Sequence, residues 1–478
     1  MKRKLRLILL FCMTLAQFSC GAEDAVTTIE STYSEATGEA APDYPLPEAD
    51  FGGESFGILC RTEKKYEMDS ESENGETLND AVYQRNRNVE ERYNINLECY
   101  DTAGSWDQRD NFYKVYTGSV MAGEDIYDLV AYYEATAQVP ISEGCMLDLN
   151  EIKSLDFSHD WWYPGYNDIM TINGKLYSCL GDAAMTTWEY PAVTFFNKNL
   201  MDRYGMEYPY QAVMDGKWTF DMLCELGMRV SEDLNGDGKL DGEDLYGWIT
   251  SDGMLRCMPT SFDFPLCVVN DGVPELSVGS EKYYDVYDRV YNVLWENDWA
   301  TVLNGSDDDG RTTCFTEGRA LFYSYDAKSV AELREMNDEF GILPYPKYNE
   351  AQDNYYTVVF DNHSVFCVPK TVKDPERSGL IMEAMGYESM RIVTPAYYEI
   401  MLRGKVARDD ESRDMLDIIR DSFQFDFAIV NSMLIDNIFP FYGGQMCSEN
   451  QSIASEVASK LPVWQKKFRN VLGFYGIE

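Results

Sequence analysis

The sequence predicts an α/β protein built as two domains or lobes. At 478 residues the chain is too long for one ordinary hydrophobic core. From residue 55 onward, short apolar runs alternate with segments of helical period, the pattern of a mainly parallel sheet. After the first few residues no apolar run reaches the ~20 residues of a membrane-spanning helix.

The elements follow in order. "SFGILC" (55–60), apolar and preceded by Gly52 and Gly53, reads as a first strand. Leu78, Val82, Val89 and Tyr93 then recur at mostly helical intervals. "INLECY" is a second strand, 109–122 a helix, and "YDLVAYY" (127–133) a near-continuous apolar run suited to a strand buried on both faces. "KWTFDMLCELGMRV" (217–230) is helical, with Thr219 as N-cap and Asp221 in the first turn. "LYGWIT" is a strand. Asp374 caps a helix that has Pro375 at its first position. Met415, Ile418 and Ile419 share one face of a later helix. Ile453, Val457, Leu461, Trp464 and Phe468 form a helical stripe, with Pro462 expected to kink it. There is no internal repeat.

The first residues read as an export signal. Lys2, Arg3, Lys4 and Arg6 precede an apolar stretch from Leu7 to Ala16 that is too short to span a bilayer. Ser19, Cys20 and Gly21 resemble a bacterial lipobox, in which Cys20 is lipidated; Gln17 stands where Leu is usual, and plain secretion is the alternative. Residues 21–50 carry eight Asp or Glu and no Lys or Arg, a composition that cannot bury enough surface to fold and reads as a flexible tether.

The formal net charge of −42 excludes a nucleic-acid footprint and argues against acidic ligands. Its ordinary reading is a solvated, self-repelling surface. Twelve cysteines are scattered singly, with no CxxC pair and no zinc spacing; most suit small buried apolar positions, and no pairing can be assigned. Aromatic content of 14% serves either core packing or a wet recognition surface for amphipathic ligands such as sugars.

"DLNGDGKLDGED" (233–244) has the spacing of a calcium loop. Asp233, Asn235 and Asp237 supply side-chain oxygens, Gly238 the sharp turn, Lys239 a backbone carbonyl, Asp241 a contact through water, and Asp244 the closing carboxylate. Asp at the last position makes bidentate closure less certain than Glu would. The alternative is an acidic, Gly-rich surface turn. Sensors and dockerin-type modules need a second copy, and "GSDDDGRTT" (305–313) fails the ligand spacing. A structural Ca2+ that staples one loop is the expectation.

Six stretches stand in a telling order: "YDLVAYYEATAQVPISEGCMLDLNEI", "INGKLYSCLGDAA", "TFFNKNLMDRYGMEYPY", "GKWTFDML", "FTEGRALFYS" and "FGILPYPK". Together they resemble the extracellular solute-binding proteins of bacterial sugar ABC transporters (family 1), closest to clostridia-like lipoproteins. The resemblance implies a two-lobed periplasmic-binding-protein-like fold of type II, a ligand cleft between the lobes and closure by hinge motion. It implies crossings near 194–200, near 358–365 and after 390. Lobe 1 is then 51–195 plus about 364–420, and lobe 2 is 196–363 plus about 421–478, carrying the calcium loop. The implied partners are a mono- or oligosaccharide and an ABC permease, with the chain a monomer lipid-anchored outside the cell membrane.

Candidate ligand contacts follow from sugar chemistry, in which rings stack on aromatic faces and acids accept from hydroxyls. Tyr133 and Glu134 follow a strand's C-terminal end, where open α/β sheets place ligands. Trp161, Trp162, Asp182 and Trp188 lie in motifs on the way to the first crossing. Tyr325 follows the "FTEGRALF" strand, and Asp361 sits at a crossing. Core packing is the competing reading for each aromatic, and surface solvation for each acid. No enzyme is expected: the two histidines, His159 and His363, are isolated, and no GxSxG, Walker or Rossmann motif is present. A carboxylate-pair glycoside hydrolase or lyase, and a glycan-binding surface protein without a transporter, are the alternatives.

Overall fold

The computed structural model describes residues 45–477, apart from 239, 241–242, 271, 303–308 and 403–409. The export signal, Cys20, most of the tether, Lys239 and Asp241 lie outside the described residues, as does much of 305–313. Among the described residues, no helix is long and apolar enough to cross a membrane.

Residues from Leu46 onward form one compact unit that contains two main sheets. The first sheet uses β1 (Glu54–Arg61), β2 (Ile95–Thr102) and β3 (Leu129–Tyr133). The second uses β4 (Ala192–Asn197), β5 (Tyr246–Thr250), β8 (Ala300–Val302), β9 (Ala320–Asp326) and β10 (Phe340–Pro344); the hairpin of β6 (Cys267–Asn270) and β7 (Val273–Leu276) stands apart. β11 (Thr357–Val358) pairs in parallel with β13 (Phe423–Gln424), and between them in the chain β12 (Ser364–Cys367) returns to the first sheet.

The first sheet has the order β12-β3-β1-β2. Its β1–β2 and β1–β3 pairs are parallel and only β12 runs antiparallel, matching the mainly parallel expectation. β3 is buried along its whole length, which explains its unbroken apolar sequence. The expected helices flank it. Thr77–Tyr93 ends at Asn94 in the left-handed region, and Arg109–Ala122 ends at Gly123, whose N–H closes on Ser119 and Val120 carbonyls. Helix Pro375–Glu388 begins on its Asp374 cap. Its Arg377 reaches Asp128 at 2.6 Å, and Asp128 accepts from the Gly57 N–H at 2.9 Å, tying this late helix to β1.

The second sheet, ordered β10-β4-β9-β5-β8, is mixed. Helix Phe220–Gly227 starts on the Thr219 cap and packs so close to β5 that a Cβ on Gly247 would stand 2.1 Å from the Gly227 carbonyl oxygen. Helix Glu281–Trp295 turns Tyr283, Val286, Tyr287, Val290 and Leu294 inward at helical spacing. Tyr283 and Tyr287 each meet the Tyr442 ring edge-on at 5.2 Å. Much of the aromatic excess is therefore core, with Trp218, Trp248 and Trp464 fully buried. Of the expected stripe, Ile453, Val457, Trp464 and Phe468 are buried and Leu461 is only half-buried, on a helix (Ile453–Phe474) that runs through Pro462.

Two short segments pass between the sheets. At 189–191, Glu189 and Pro191 carbonyls accept from the Lys328 and Ala327 N–H groups, and the chain enters β4 directly. At 359–363 it returns: Phe360 N–H donates to the Tyr190 carbonyl, so the two crossings lie side by side. Farther on, helix Thr394–Leu402 packs against helix Thr77–Tyr93, and helix Asp410–Asp421 against β10.

Candidate functional site

A cavity of about 1040 Å3 opens where these elements converge. One wall comes from the first sheet: Tyr133 at the end of β3, Ala135 just beyond it, and Trp106 after β2. The opposite wall comes from the second sheet: Ser251 to Met254 and Arg256 after β5, with Tyr325 and Asp326 at the end of β9. Phe360, Asp361 and Asn362 of the returning crossing form the floor, and Met433, Asn437, Phe439 and Pro440 close one side. The cavity thus lies at the C-terminal ends of β3 and β5, where side chains leave the sheets and helices begin.

Two helices start at its edge. Ser251 caps helix Asp252–Ser261, its hydroxyl accepting from the Met254 N–H at 3.3 Å. Helix Glu134–Ser142 starts directly after Tyr133. Helix N-termini present N–H donors that suit oxygen-rich ligands.

Several polar groups on the floor are already fixed. The Arg61 guanidinium lies 4.2 Å from the Tyr133 ring centre and donates to the Asn362 carbonyl at 2.9 Å. The Tyr133 hydroxyl donates to Asn362 Oδ1 at 2.6 Å. Asp252 and Arg256 form an ion pair across one helical turn. Asp361 is half-buried; burial pushes its carboxyl up to about 6, against the opposing pull of Arg256. Beneath it, Glu134 is 1% exposed, and burial, with the nearby Asp361 charge, raises its carboxyl well above the usual range. His363, wholly buried, donates from Nδ1 to the Phe360 carbonyl over 2.8 Å, and burial depresses its imidazole to about 4.

Tyr133, Tyr325 and Asp361 of the sequence candidates therefore meet in one cavity, with Glu134 directly behind them. The others do not join them. Trp161 and Trp162 are buried and donate their indole N–H groups to Glu383 at 2.7 and 3.1 Å, with His159 stacked on Trp161. Asp182, fully buried, accepts from the Tyr163 and Thr394 hydroxyls. Trp188 packs among Tyr397, Tyr398 and Phe423. Sequence reasoning overlooked Trp106, the 251–256 helix start, Phe360, Asn362 and the 433–440 side. Ser251 carried a usable signal, since it directly follows the recognised strand "LYGWIT", just as Tyr133 ends its own.

The 233–244 loop folds on itself through Asp233, whose two carboxylate oxygens accept from the Gly236 and Gly238 N–H groups at 2.6 and 2.8 Å. Gly236 and Gly238 both have positive φ, as such a turn requires. Asn235 Oδ1 accepts from the Asp237 N–H, and the fully buried Asp244 accepts from the Leu234 N–H. The donor set is all oxygen, which suits a hard cation. Among the described residues no group of three or more His, Cys, Asp or Glu side chains is gathered to hold a metal.

No family model matches the chain, and no curated protein matches it by sequence. Solved structures do. An ABC substrate-binding protein of Listeria monocytogenes, solved in complex with cycloalternan, aligns over 89% of this chain and 100% of its own at 13% identity and TM-score 0.52. The maltose/maltodextrin-binding domain MalE of Bdellovibrio bacteriovorus, bound to maltotriose, aligns over 87% and 100% at 14% identity and TM-score 0.53. The GacH receptor of Streptomyces glaucescens, solved unliganded and with acarbose, aligns over 88% and 99% at 12% identity and TM-score 0.56. The fold is that of the two-lobed solute-binding proteins.

Proposed function

We propose that this protein is an extracytoplasmic solute-binding protein that captures a mono- or oligosaccharide in the 1040 Å3 cleft and delivers it to an ABC importer without turning it over. The observation that carries this reading is the composition of the cleft. Trp106, Tyr133, Tyr325, Phe360 and Phe439 offer aromatic faces, while Asp361, Asn362 and Asn437 offer hydrogen-bonding groups. The likeness in fold to proteins solved with cycloalternan, maltotriose and acarbose supports the same class of ligand. The paired crossings at 189–191 and 359–363 are the hinge in this reading, and the lobes close over the sugar because the closed state adds contacts from both walls.

A carboxylate-pair hydrolase is the poorer reading. Of the acids around Asp361, Asp252 is held in an ion pair with Arg256, Asp326 accepts from the Ser329 hydroxyl, and Glu134 is buried behind the cavity, out of a substrate's reach. The export signal and Cys20 support a lipid-anchored chain on the outer face of the membrane, with residues 21–50 as its tether. The 233–244 loop, with its Asp233-centred turn, supports a structural Ca2+ held by Asp233, Asn235, Asp237, Asp241, Asp244 and the Lys239 carbonyl.

The deciding experiment is a thermal-shift screen of the folded body against neutral mono- and oligosaccharides, followed by calorimetry and small-angle scattering. A binder raises the melting temperature by mass action and compacts the protein. Failure of every sugar to bind, or release of shortened products on long incubation, overturns the reading.

A further inference from the structure

The ten cysteines of the described residues carry no disulfide. Two of them nevertheless touch. The Sγ atoms of Cys60 and Cys99 stand 3.2 Å apart. They lie on β1 and β2, neighbouring parallel strands in which Cys99 sits opposite Ile58 and Cys60 opposite Asp101. Alternation along a strand puts positions 58 and 60 on one face, and their partners 99 and 101 on the same face, so the two thiols are diagonal neighbours on one side of the sheet. Closing 3.2 Å to a bond of about 2.05 Å takes a movement of roughly 1.2 Å, within reach of side-chain rotation.

We propose that Cys60 and Cys99 are a redox pair that closes to a disulfide across β1 and β2. The two thiols differ in access. Cys60 is 1% exposed, whereas Cys99 is half-buried on β2, the edge strand of its sheet. Cys99 is the thiol that an external reagent can reach, while the Cys99 contact and burial together push the Cys60 thiol up. Cys99 therefore attacks first.

The oxidant is a small external disulfide. The Cys99 thiolate attacks one of its sulfurs, forms a mixed disulfide and expels one thiolate. Cys60 then loses its proton and attacks Cys99 Sγ, expelling the second thiolate. The two protein thiols give up two electrons and two protons, and the external disulfide leaves as two thiols. The bond encloses the chain from 60 to 99 and so restricts the unfolded state. It also grips β1 one residue before Arg61, the guanidinium beneath Tyr133 in the cleft. Formation in the cell rests on the exported location proposed above. Formation in the tube does not.

The test uses the purified, folded chain and oxidised glutathione. After treatment, remaining thiols are alkylated under denaturing conditions and the digest is analysed by mass spectrometry. The expected result is a cross-linked peptide pair containing Cys60 and Cys99, with a melting temperature higher by roughly 4 °C that reverts with reductant. Cys99→Ser and, separately, Cys60→Ser abolish both effects; the half-buried position of Cys99 makes its variant the safer fold. A lasting glutathione adduct on Cys99 with Cys60 still open to alkylation overturns the proposal, as does recovery of both thiols unmodified.

Discussion

Lys64 is the only charge partner of Glu189 among the described ion pairs, and Glu189 begins the first crossing. Their Nζ–Oε2 distance is 2.6 Å and both side chains are 8% exposed. Lys64 also donates to the Tyr190 hydroxyl at 2.7 Å, and the Tyr66 hydroxyl donates to the other Glu189 oxygen. The cluster pins the crossing to the segment that follows β1. Lys64→Met keeps most of the side chain's length and removes its charge, leaving a buried carboxylate with the Tyr66 bond as its side-chain support. Breaking a buried pair from one side costs about 3–5 kcal/mol, and the Tyr66 bond places this case at the low end, about 3 kcal/mol. Unfolding entropy of about 2.1 cal/mol/K per residue over roughly 430 residues gives about 0.9 kcal/mol/K, so the melting temperature should fall by about 3 °C. Differential scanning calorimetry of Lys64→Met, Glu189→Gln and the double variant measures this. The double variant removes both charges and should recover part of the Lys64→Met loss. A loss under 1 °C for Lys64→Met, or a double variant whose loss is the sum of the two single losses, would refute the reasoning.

Four further outcomes are expected. Tyr133→Ala and Trp106→Ala should weaken sugar binding in calorimetry by about 1–2 kcal/mol each, roughly 5- to 30-fold, whereas Trp188→Ala should lower the melting temperature with little change in affinity. With Asp361 raised to about 6, the native state holds more protons than the unfolded chain between about pH 4 and 6, so this group's contribution to stability falls as pH rises through that window. Asp361→Asn should match the parent's melting temperature near pH 4 and exceed it at pH 7, while sugar affinity of the parent, not of the variant, rises above pH 6 as the acceptor ionises. His363, depressed to about 4, has the opposite sign: its contribution is lost as pH falls from about 6.5 to 4. Finally, Ca2+ in excess of its dissociation constant should raise the melting temperature relative to chelator-treated protein, and Asp233→Asn should abolish the difference; unchanged melting in both would dispose of the ion.

What the sequence disclosed was set by the range of the forces involved. Caps and strand ends are local, so Thr219, Asp374, the 109–122 helix and the run ending at Tyr133 were legible. Burial of an indole is decided by residues far along the chain. Trp161 and Trp162 looked like sugar platforms until Glu383, more than 200 residues later, took both their N–H groups. The same holds for Asp182, whose Thr394 partner comes from a distant helix. Trp106, by contrast, is 48% exposed and rests on a local Arg109 contact, but no pattern in its neighbours marks it as facing a cavity.

The floor of the cleft is made from one of the two crossings. Ala135 N–H donates to the Asp361 carbonyl and Phe360 N–H to the Tyr190 carbonyl, so the residues that would touch cargo also belong to the proposed hinge. On the proposed hinge, substitutions that retune specificity at 360–362 would also shift the balance between open and closed states, and those that stiffen the crossing would change apparent affinity. For anyone engineering this chain as a biosensor, selectivity and signal amplitude cannot be adjusted independently from the floor. Changes of specificity are better sought on the wall at Trp106, which stands on neither crossing.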